Sequence, residues 1–495
     1  MAPYYVNSIQ VLQRPSPPVA WDRPKEPCCV VLPAGSRKTP ESRPLDCDII
    51  LERDQPLTLR DGVSIRIDIY RPKTEGKVPA ILMWSPYGKS GTGKYRLDPA
   101  EWVPKGYAII NADAREGRDG YDAVEEIAKL PWCTGKVAMA GNSWLAICQW
   151  FIAAERPPHL ACIAPLEGCS DHLRENVCRG GIPEPTFGEM INATLAGRNM
   201  QEDYITMLDK YPHCREYWDD KRARIDRIQV PAYILGSFST QLHTIGSFRA
   251  FEEIPHQRKW ITVHATQEWY DLYTKSRIDD LQRFFDWYLK GIENDWEQTP
   301  PVRLAVLGFN KPPILDLPFD HLPWHFPYTP TTCIQKLFLT QNKSLQLKNE
   351  AKYSTLDYQD TKRLELSYTF EQLTTLAGPT KLVPNINPLK YLGPSGHLRA
   401  SRRKVAPELS QRYWQTLSHD TNKPVRAGEI VELEVWIWPS AIQFGPGEQL
   451  VVNISGNRMG LPEFERIQIK PKDAAHQIVH VGGQYQSYLE VIWFT

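Results

Sequence analysis

Between residue 79 and about residue 300 the chain alternates short apolar runs with stretches of helical period. Residues 80–84, 107–111, 137–140, 161–165, 231–235 and 260–263 are almost wholly apolar, as strands buried on both faces must be. Residues 119–130 set Tyr121, Val124, Ile127 and Ala128 on one face of a predicted helix. Residues 278–290 do the same with Ile278, Leu281, Phe284, Phe285 and Tyr288 before Gly291 stops the pattern. This rhythm predicts an α/β fold with a largely parallel sheet covered on both sides. Upstream, Val63, Ile65, Ile67 and Ile69 alternate with polar positions after a turn at Asp61 and Gly62, which predicts a half-buried strand.

Residues 170–228 interrupt the rhythm with polar, helix-forming sequence, the pattern of a cap over the sheet. After Pro300 and Pro301 the helical period fades. Short β runs at 302–307, 336–340, 364–370, 431–438, 449–455, 478–481 and 488–494 predict an all-β sandwich. The expected organisation is an extended N-terminal arm over 1–46, an α/β domain over 47–300 and a β-sandwich over 301–495. The arm carries nine prolines, and strands are expected only from Cys47 onward.

Composition narrows the partners. Lys and Arg number 58, as do Asp and Glu, so the net charge is zero and nothing favours nucleic acid or an anionic membrane. No run of 18 apolar residues predicts a membrane span. The first residues lack the basic and apolar segments of a secretory signal, so a cytoplasmic location is expected. The ten cysteines show no C-x-x-C spacing and are expected as reduced core thiols. Pro323 separates His321 from His325, which makes them loop histidines and not a helical metal pair. No metal and no cofactor is expected, and oligomeric state is not legible.

Two stretches carry candidate chemistry. In Lys136-Val-Ala-Met-Ala-Gly-Asn-Ser-Trp-Leu-Ala-Ile-Cys-Gln-Trp150, a short apolar run meets Gly141, then Ser143, then a helical stretch ended by Pro157 and Pro158. A serine between strand and helix is a nucleophile-elbow arrangement, in which the helix N-terminus favours developing negative charge. The pattern G-x-S-x-G fails only at its last position, where Leu145 stands; a helix-capping serine is the bland alternative. The second stretch, Gly88-Lys-Ser-Gly-Thr-Gly-Lys94, has the spacing of a phosphate-cradling loop, but Tyr95 stands where a magnesium-binding Ser or Thr belongs. Its alternative is a plain glycine loop.

The elbow with its flanks Pro131-Trp132 and Gln149-Trp150 resembles the signature of the cocaine esterase and X-Pro dipeptidyl-peptidase family of serine hydrolases. So do Leu59-Arg-Asp-Gly-Val, Ile69-Tyr-Arg-Pro72, Ser85-Pro-Tyr87 and the closing Gly482-Gly-Gln-Tyr-Gln-Ser-Tyr-Leu489. The resemblance runs from about residue 47 to the end. It implies an α/β-hydrolase domain with a helical cap at about 170–228, then a C-terminal jelly roll. It further implies hydrolysis of a small ester or amide, or acyl transfer from one, through an acyl-enzyme on Ser143. The Tyr87 hydroxyl and the Trp144 backbone N–H become the oxyanion donors, and the phosphate-loop reading is displaced.

The chain departs from the family in several places. The turn G-W-x-D that holds the family's acid reads Gly236-Ser-Phe-Ser239, with no carboxylate. His264 is the expected base, although Gln267 lies nearer the family's spacing and glutamine cannot move a proton at neutral pH. His243 is a further candidate, and Glu268 or Asp271 a possible orienting acid. Glu167, Asp171 and Glu175 are candidates for meeting a cationic substrate group, or plain solvated acids. The aspartate-glycine loop is curtailed after Asp113-Ala-Arg115, and residues 371–395 offer few strands. A shortened member is therefore expected. The alternative function is a catalytically impaired or non-hydrolytic protein that binds a small molecule in the same pocket.

Overall fold

The structure is a computed structural model, and it describes residues 4–18, 26–89, 95–114, 117–195, 197, 200–213, 215–238, 242–266, 268–308, 311–323, 332–359, 363–371, 374–379, 395–411, 415–456 and 476–494. The expectations on residues 90–94, Arg115, Ser239, Gln267 and His325 lie outside these residues, as does the side chain of Glu268.

The α/β half is built on strands β1 (Cys28–Leu32), β2 (Ile49–Thr58), β3 (Ser64–Pro72), β4 (Val78–Ser85), β5 (Ala108–Asp113), β6 (Cys133–Asn142), β7 (Leu160–Leu166), β8 (Ala232–Ser237), β9 (Lys259–His264) and β10 (Val302–Gly308). They lie side by side in the order β1-β2-β3-β5-β4-β6-β7-β8-β9-β10. From β5 to β10 all neighbours are parallel; β1, β2 and β3 add antiparallel pairs at one edge. Alternate residues of each strand feed opposite faces. Leu82 and Trp84 pack with Ile127 of α1 (Gly117–Ala128) and Trp150 of α2 (Trp144–Ala154). Ile81 and Met83 pack with Phe284 and Phe285 of α6 (Lys275–Phe285). Every residue of β4 and β8 is buried, which is why these runs read as continuously apolar.

The cap carries α3 (Pro185–Thr194) and α4 (Tyr204–Lys210), and α5 (Thr244–Glu253) follows β8. The described part of the N-terminal arm packs on this cap. Val6 and Val11 join Met207, Tyr217 and Trp218 in one cluster, and Gln13–Pro15 pairs with Met200–Glu202. In the C-terminal half, β11 (Thr332–Leu339), β12 (Thr374–Pro379), β13 (Pro439–Phe444) and β14 (Tyr488–Phe494) continue the same sheet in the order β10-β13-β12-β14-β11. Arg363–Thr369 pairs with Gln449–Ser455, and Ser354–Gln359 with His476–Val481.

Three expectations change. The first long strand is β1, well before Cys47; Val30 and Val31 are both exposed there, so no alternation betrayed it. Residues 431–438 form no strand. Leu433 and Val435 alternate correctly but are 42% and 44% exposed, with a single bridge between Gly396 and Ile437 alongside, and the strand is β13 immediately after. The helix expected over 278–290 is α6 followed by a wider turn, Asp286–Lys290, closed by Gly291 at φ 70°. Within 371–395, β12 is a strand of the main sheet. No helix among the described residues is long and apolar enough to cross a membrane.

Candidate active site

Ser143 stands between β6 and α2 with φ 62° and ψ −123°, a conformation that an L-residue adopts only when its surroundings impose it. The neighbours do impose it. The Ser143 N–H donates to the Glu167 carbonyl at 2.9 Å, and Asn142 Nδ2 donates to the Leu166 carbonyl at 2.7 Å. Both tie the elbow to the end of β7. Gly141 has φ 128°, and a Cβ there would lie 2.6 Å from the Leu145 Cβ. Leu145, the residue that breaks the elbow pattern, is thus accommodated by the glycine before the serine. On the other side, a Cβ on Gly168 would sit 2.8 Å from the Ala146 Cβ and 2.9 Å from the Ile147 nitrogen. The buried amide of Gln149 completes the fixation: Nε2 donates to the Leu145 carbonyl at 2.8 Å and Oε1 accepts from the Ala164 N–H at 3.0 Å, locking α2 onto β7.

The Tyr87 Oη lies 3.1 Å from the Ser143 Oγ. Trp144 is the first residue of α2, so its N–H has no carbonyl one turn back and is available at the serine. The loop carrying Tyr87 is held from below. Lys89 Nζ bridges Asp54 at 2.9 Å and Asp68 at 3.0 Å, and the Lys89 N–H donates to Asp113 at 2.7 Å. Burial opposes the Lys89 charge, but the two aspartates outweigh it and hold the ammonium above its ordinary range. Burial raises the Asp113 carboxyl. This lysine belongs to an internal ion cluster, whereas Lys94, the lysine of the phosphate-loop reading, lies outside the described residues.

His264 ends β9, two strands beyond the strand next to the elbow. Its Nε2 lies 2.5 Å from Glu167 Oε1, and its Nδ1 lies 3.2 Å from the Thr266 hydroxyl and accepts from the Thr266 N–H at 3.3 Å. Glu167 is fully buried and has φ 67°. The structure therefore brings Ser143, Tyr87 and the Trp144 amide together. It gives Ser143 Oγ no hydrogen bond to His264, whose two ring nitrogens face Glu167 and Thr266. The turn that lacks the family's acid contains Ser237, whose hydroxyl donates to the Thr266 carbonyl at 2.6 Å. His243 caps α5 and is buried; burial first, then the Arg179 charge, pushes it down to about 3. Asp271 is bound by Arg277 at 2.6 Å and is occupied by that pair.

The three acids considered for a cationic substrate group are all buried. Glu167 faces His264. Asp171 bonds Arg174 at 2.8 Å, and Glu175 bonds Arg249 at 2.8 Å. Burial works against the Asp171 charge, yet Arg174 and Arg249 bring its carboxyl down to about 2. Burial raises the carboxyl of Glu175. None of the three is a solvated acid. Sequence reasoning weighed Glu167 only for substrate charge and missed its pairing with His264. The available signal was its position: a carboxylate directly after the strand beside the elbow, followed by glycine. Among the described residues no three His, Cys, Asp or Glu side chains gather as a metal site. Burial pushes the Cys148 thiol up to about 12, which keeps it inert.

Comparisons with known proteins bear on the family and the fold. The family profile described as X-Pro dipeptidyl-peptidase (S15 family) matches residues 61–269, and that of the X-Pro dipeptidyl-peptidase C-terminal non-catalytic domain matches residues 380–490. Cocaine esterase from Rhodococcus sp. (strain MB1 Bresler) is 33% identical over 133 residues, which are 23% of this chain and 23% of that protein, so the match spans only that share of the relative's length. A CocE/NonD family hydrolase from Staphylococcus aureus superposes with a TM-score of 0.84 over 100% of this chain and 99% of its own, at 24% identity. An aminopeptidase from the marine sediment archaeon Thaumarchaeota archaeon superposes with a TM-score of 0.66 over 93% of this chain and 99% of its own, at 14% identity. The two structural likenesses concern the fold. With both profiles falling on one family, and the elbow inside the first, the chain belongs to the cocaine esterase and X-Pro dipeptidyl-peptidase family of serine hydrolases.

Proposed function

We propose that the protein hydrolyses a small ester or amide, or transfers its acyl group, through an acyl-enzyme on Ser143. The observation that carries this reading is the strained elbow, Ser143 at φ 62° with the Tyr87 hydroxyl at 3.1 Å. In this reading Ser143 Oγ attacks the carbonyl carbon. The carbonyl electron pair moves onto oxygen, which accepts hydrogen bonds from the Tyr87 hydroxyl and the Trp144 N–H. His264 takes the serine proton and returns it to the leaving alkoxide or amine; water then repeats the sequence on the acyl-enzyme. The substrate of this reading is a small molecule with an ester or amide bond.

A second reading has support of its own. Ser143 Oγ hydrogen-bonds Tyr87, and both ring nitrogens of His264 face other groups. A protein that only binds a small molecule at this site would look the same at rest. Incubation with a fluorophosphonate probe separates the two. The acyl-enzyme reading expects label on the wild type and none on Ser143→Ala. Absence of label on the folded wild type, or equal label on both, overturns it in favour of the binding reading.

A further inference from the structure

We infer that Glu167 is the positioning carboxylate of this site, taking over from β7 the role left vacant in the Gly236–Ser239 turn. The inference rests on the acyl-enzyme reading above and deepens it. Glu167 is anchored through its backbone to both strands beside it. Its N–H donates to the Leu235 carbonyl of β8 at 3.1 Å, and its carbonyl accepts the Ser143 N–H at 2.9 Å. With φ at 67°, the residue is turned out of the extended course of β7. Such strain persists only where the surroundings over-determine it. Gly168 allows the chain to leave directly over α2, where a side chain would strike the Ala146 Cβ and the Ile147 nitrogen. One residue thus sets the backbone of the elbow and, with its carboxylate, meets His264 Nε2 at 2.5 Å in a fully buried setting.

That contact selects the tautomer. Nδ1 accepts the Thr266 N–H, so the ring proton sits on Nε2 and is donated to Glu167. Nδ1 then carries the ring's one lone pair, which at rest accepts the Thr266 N–H, so that contact opens before Nδ1 takes a proton. This inverts the usual assignment, in which the acid takes the Nδ1 proton and Nε2 is the base. When Ser143 attacks, the Oγ–H bond breaks, the Oγ–C bond forms and the proton goes to Nδ1. The imidazolium that results keeps its Nε2–H on the Glu167 carboxylate, which stays ionised throughout. Collapse of the tetrahedral adduct expels the leaving group, which takes the proton from Nδ1, and Glu167 is unchanged at the end. A buried imidazolium without this partner would be an uncompensated charge. The other nearby buried acids cannot substitute, since Asp171 and Glu175 are held by Arg174 and Arg249.

The test uses the full-length protein and the variants Glu167→Gln, Glu167→Asp and His264→Gln. Fluorophosphonate labelling rate and the pH profile of kcat/KM on an activated ester are measured for each. Glu167→Gln is expected to slow acylation roughly 100-fold or more and to move the acidic limb of the profile to lower pH, because the imidazolium loses its counter-charge. Glu167→Asp is expected to recover part of the rate, which a purely packing role would not predict. Nitrogen-15 NMR of the histidines supplies a readout independent of turnover: the Nε2–H tautomer of His264 in the wild type, lost in Glu167→Gln. An unmoved pH limb with a rate within about threefold of wild type in Glu167→Gln overturns the inference. So does an Nδ1–H tautomer in the wild type. A wild type that never labels at Ser143 but keeps the Nε2–H tautomer overturns the acyl-enzyme reading instead, and with it any catalytic meaning of the pair.

Discussion

The elbow at Ser143 and the nearness of Tyr87 could be anticipated because their signal is local: apolar run, glycine, serine, helix, with Ser85-Pro-Tyr87 upstream. His264 could be named as a base from its place after a strand, but its pairing with Glu167 was not legible, because the contact joins residues 97 apart and no carboxylate stands in the family's turn. The bond between Ser143 and Tyr87 gives a direct expectation. Tyr87→Phe removes one oxyanion donor and should lower kcat on an activated ester about 100- to 1000-fold with the fold intact. Stopped-flow acylation with circular dichroism checks both halves of that statement. The steric expectations are as definite. Gly168→Ala drives a Cβ against Ala146 and the Ile147 backbone and should destabilise by about 1–3 kcal/mol in urea unfolding. A midpoint equal to the wild type would mean that the loop after β7 shifts freely, contrary to its hydrogen bonds on both sides.

At the scale of elements, the parallel strands could be read from their apolar runs, since burial on both faces leaves little else for those positions to be. The misreadings have the opposite cause. β1 is exposed on both faces and showed no period, while residues 431–438 showed the period without a partner strand to pair with. One connection between elements bears on function. Lys89, two residues after Tyr87, is pinned by Asp68 of β3 and by Asp54, which sits at φ 57° where the β2–β3 register slips between Glu52 and Gln55. The bulge re-aims Asp54 toward the loop. Lys89→Met should therefore let Tyr87 drift, lowering kcat with little change in KM. Combined with Tyr87→Phe, its effect should be smaller than the product of the two, because both act on one hydroxyl. Fully multiplicative losses in steady-state kinetics would separate the clamp from the tyrosine.

At the scale of the molecule, acid should unfold the protein earlier than its carboxylates alone would dictate. His243 and His419 are pushed down to about 3 and His172 to about 4, in each case first by burial; Arg179, Arg174 and Lys221 respectively add repulsion. Between those values and the ordinary histidine value of about 6.5, the unfolded chain binds protons that the native state refuses. Stability is then complete above about pH 7 and falls as pH drops through that window, by up to about 1.4 kcal/mol per histidine and pH unit. Urea midpoints at pH 7, 5.5 and 4.5 test this, and a flat series would contradict it. Two of the three histidines lie in the cap or in the C-terminal loop it touches, where Arg174 also donates to the Leu417 and Ser418 carbonyls at 2.8 and 3.1 Å. That joint was invisible in the sequence, since it links positions more than two hundred residues apart. The two halves share more than a joint: β10 pairs in parallel with β13 through Leu307 with Ile442 and Gly308 with Gln443. A chain cut near residue 300 would keep Ser143 and Tyr87 but strip β9 of its outer neighbour, leaving a raw edge of amides and carbonyls open to self-pairing. The isolated α/β half is thus expected to aggregate and not to survive as a minimal enzyme, and the C-terminal half acts as a closing strand set for the sheet that carries the serine.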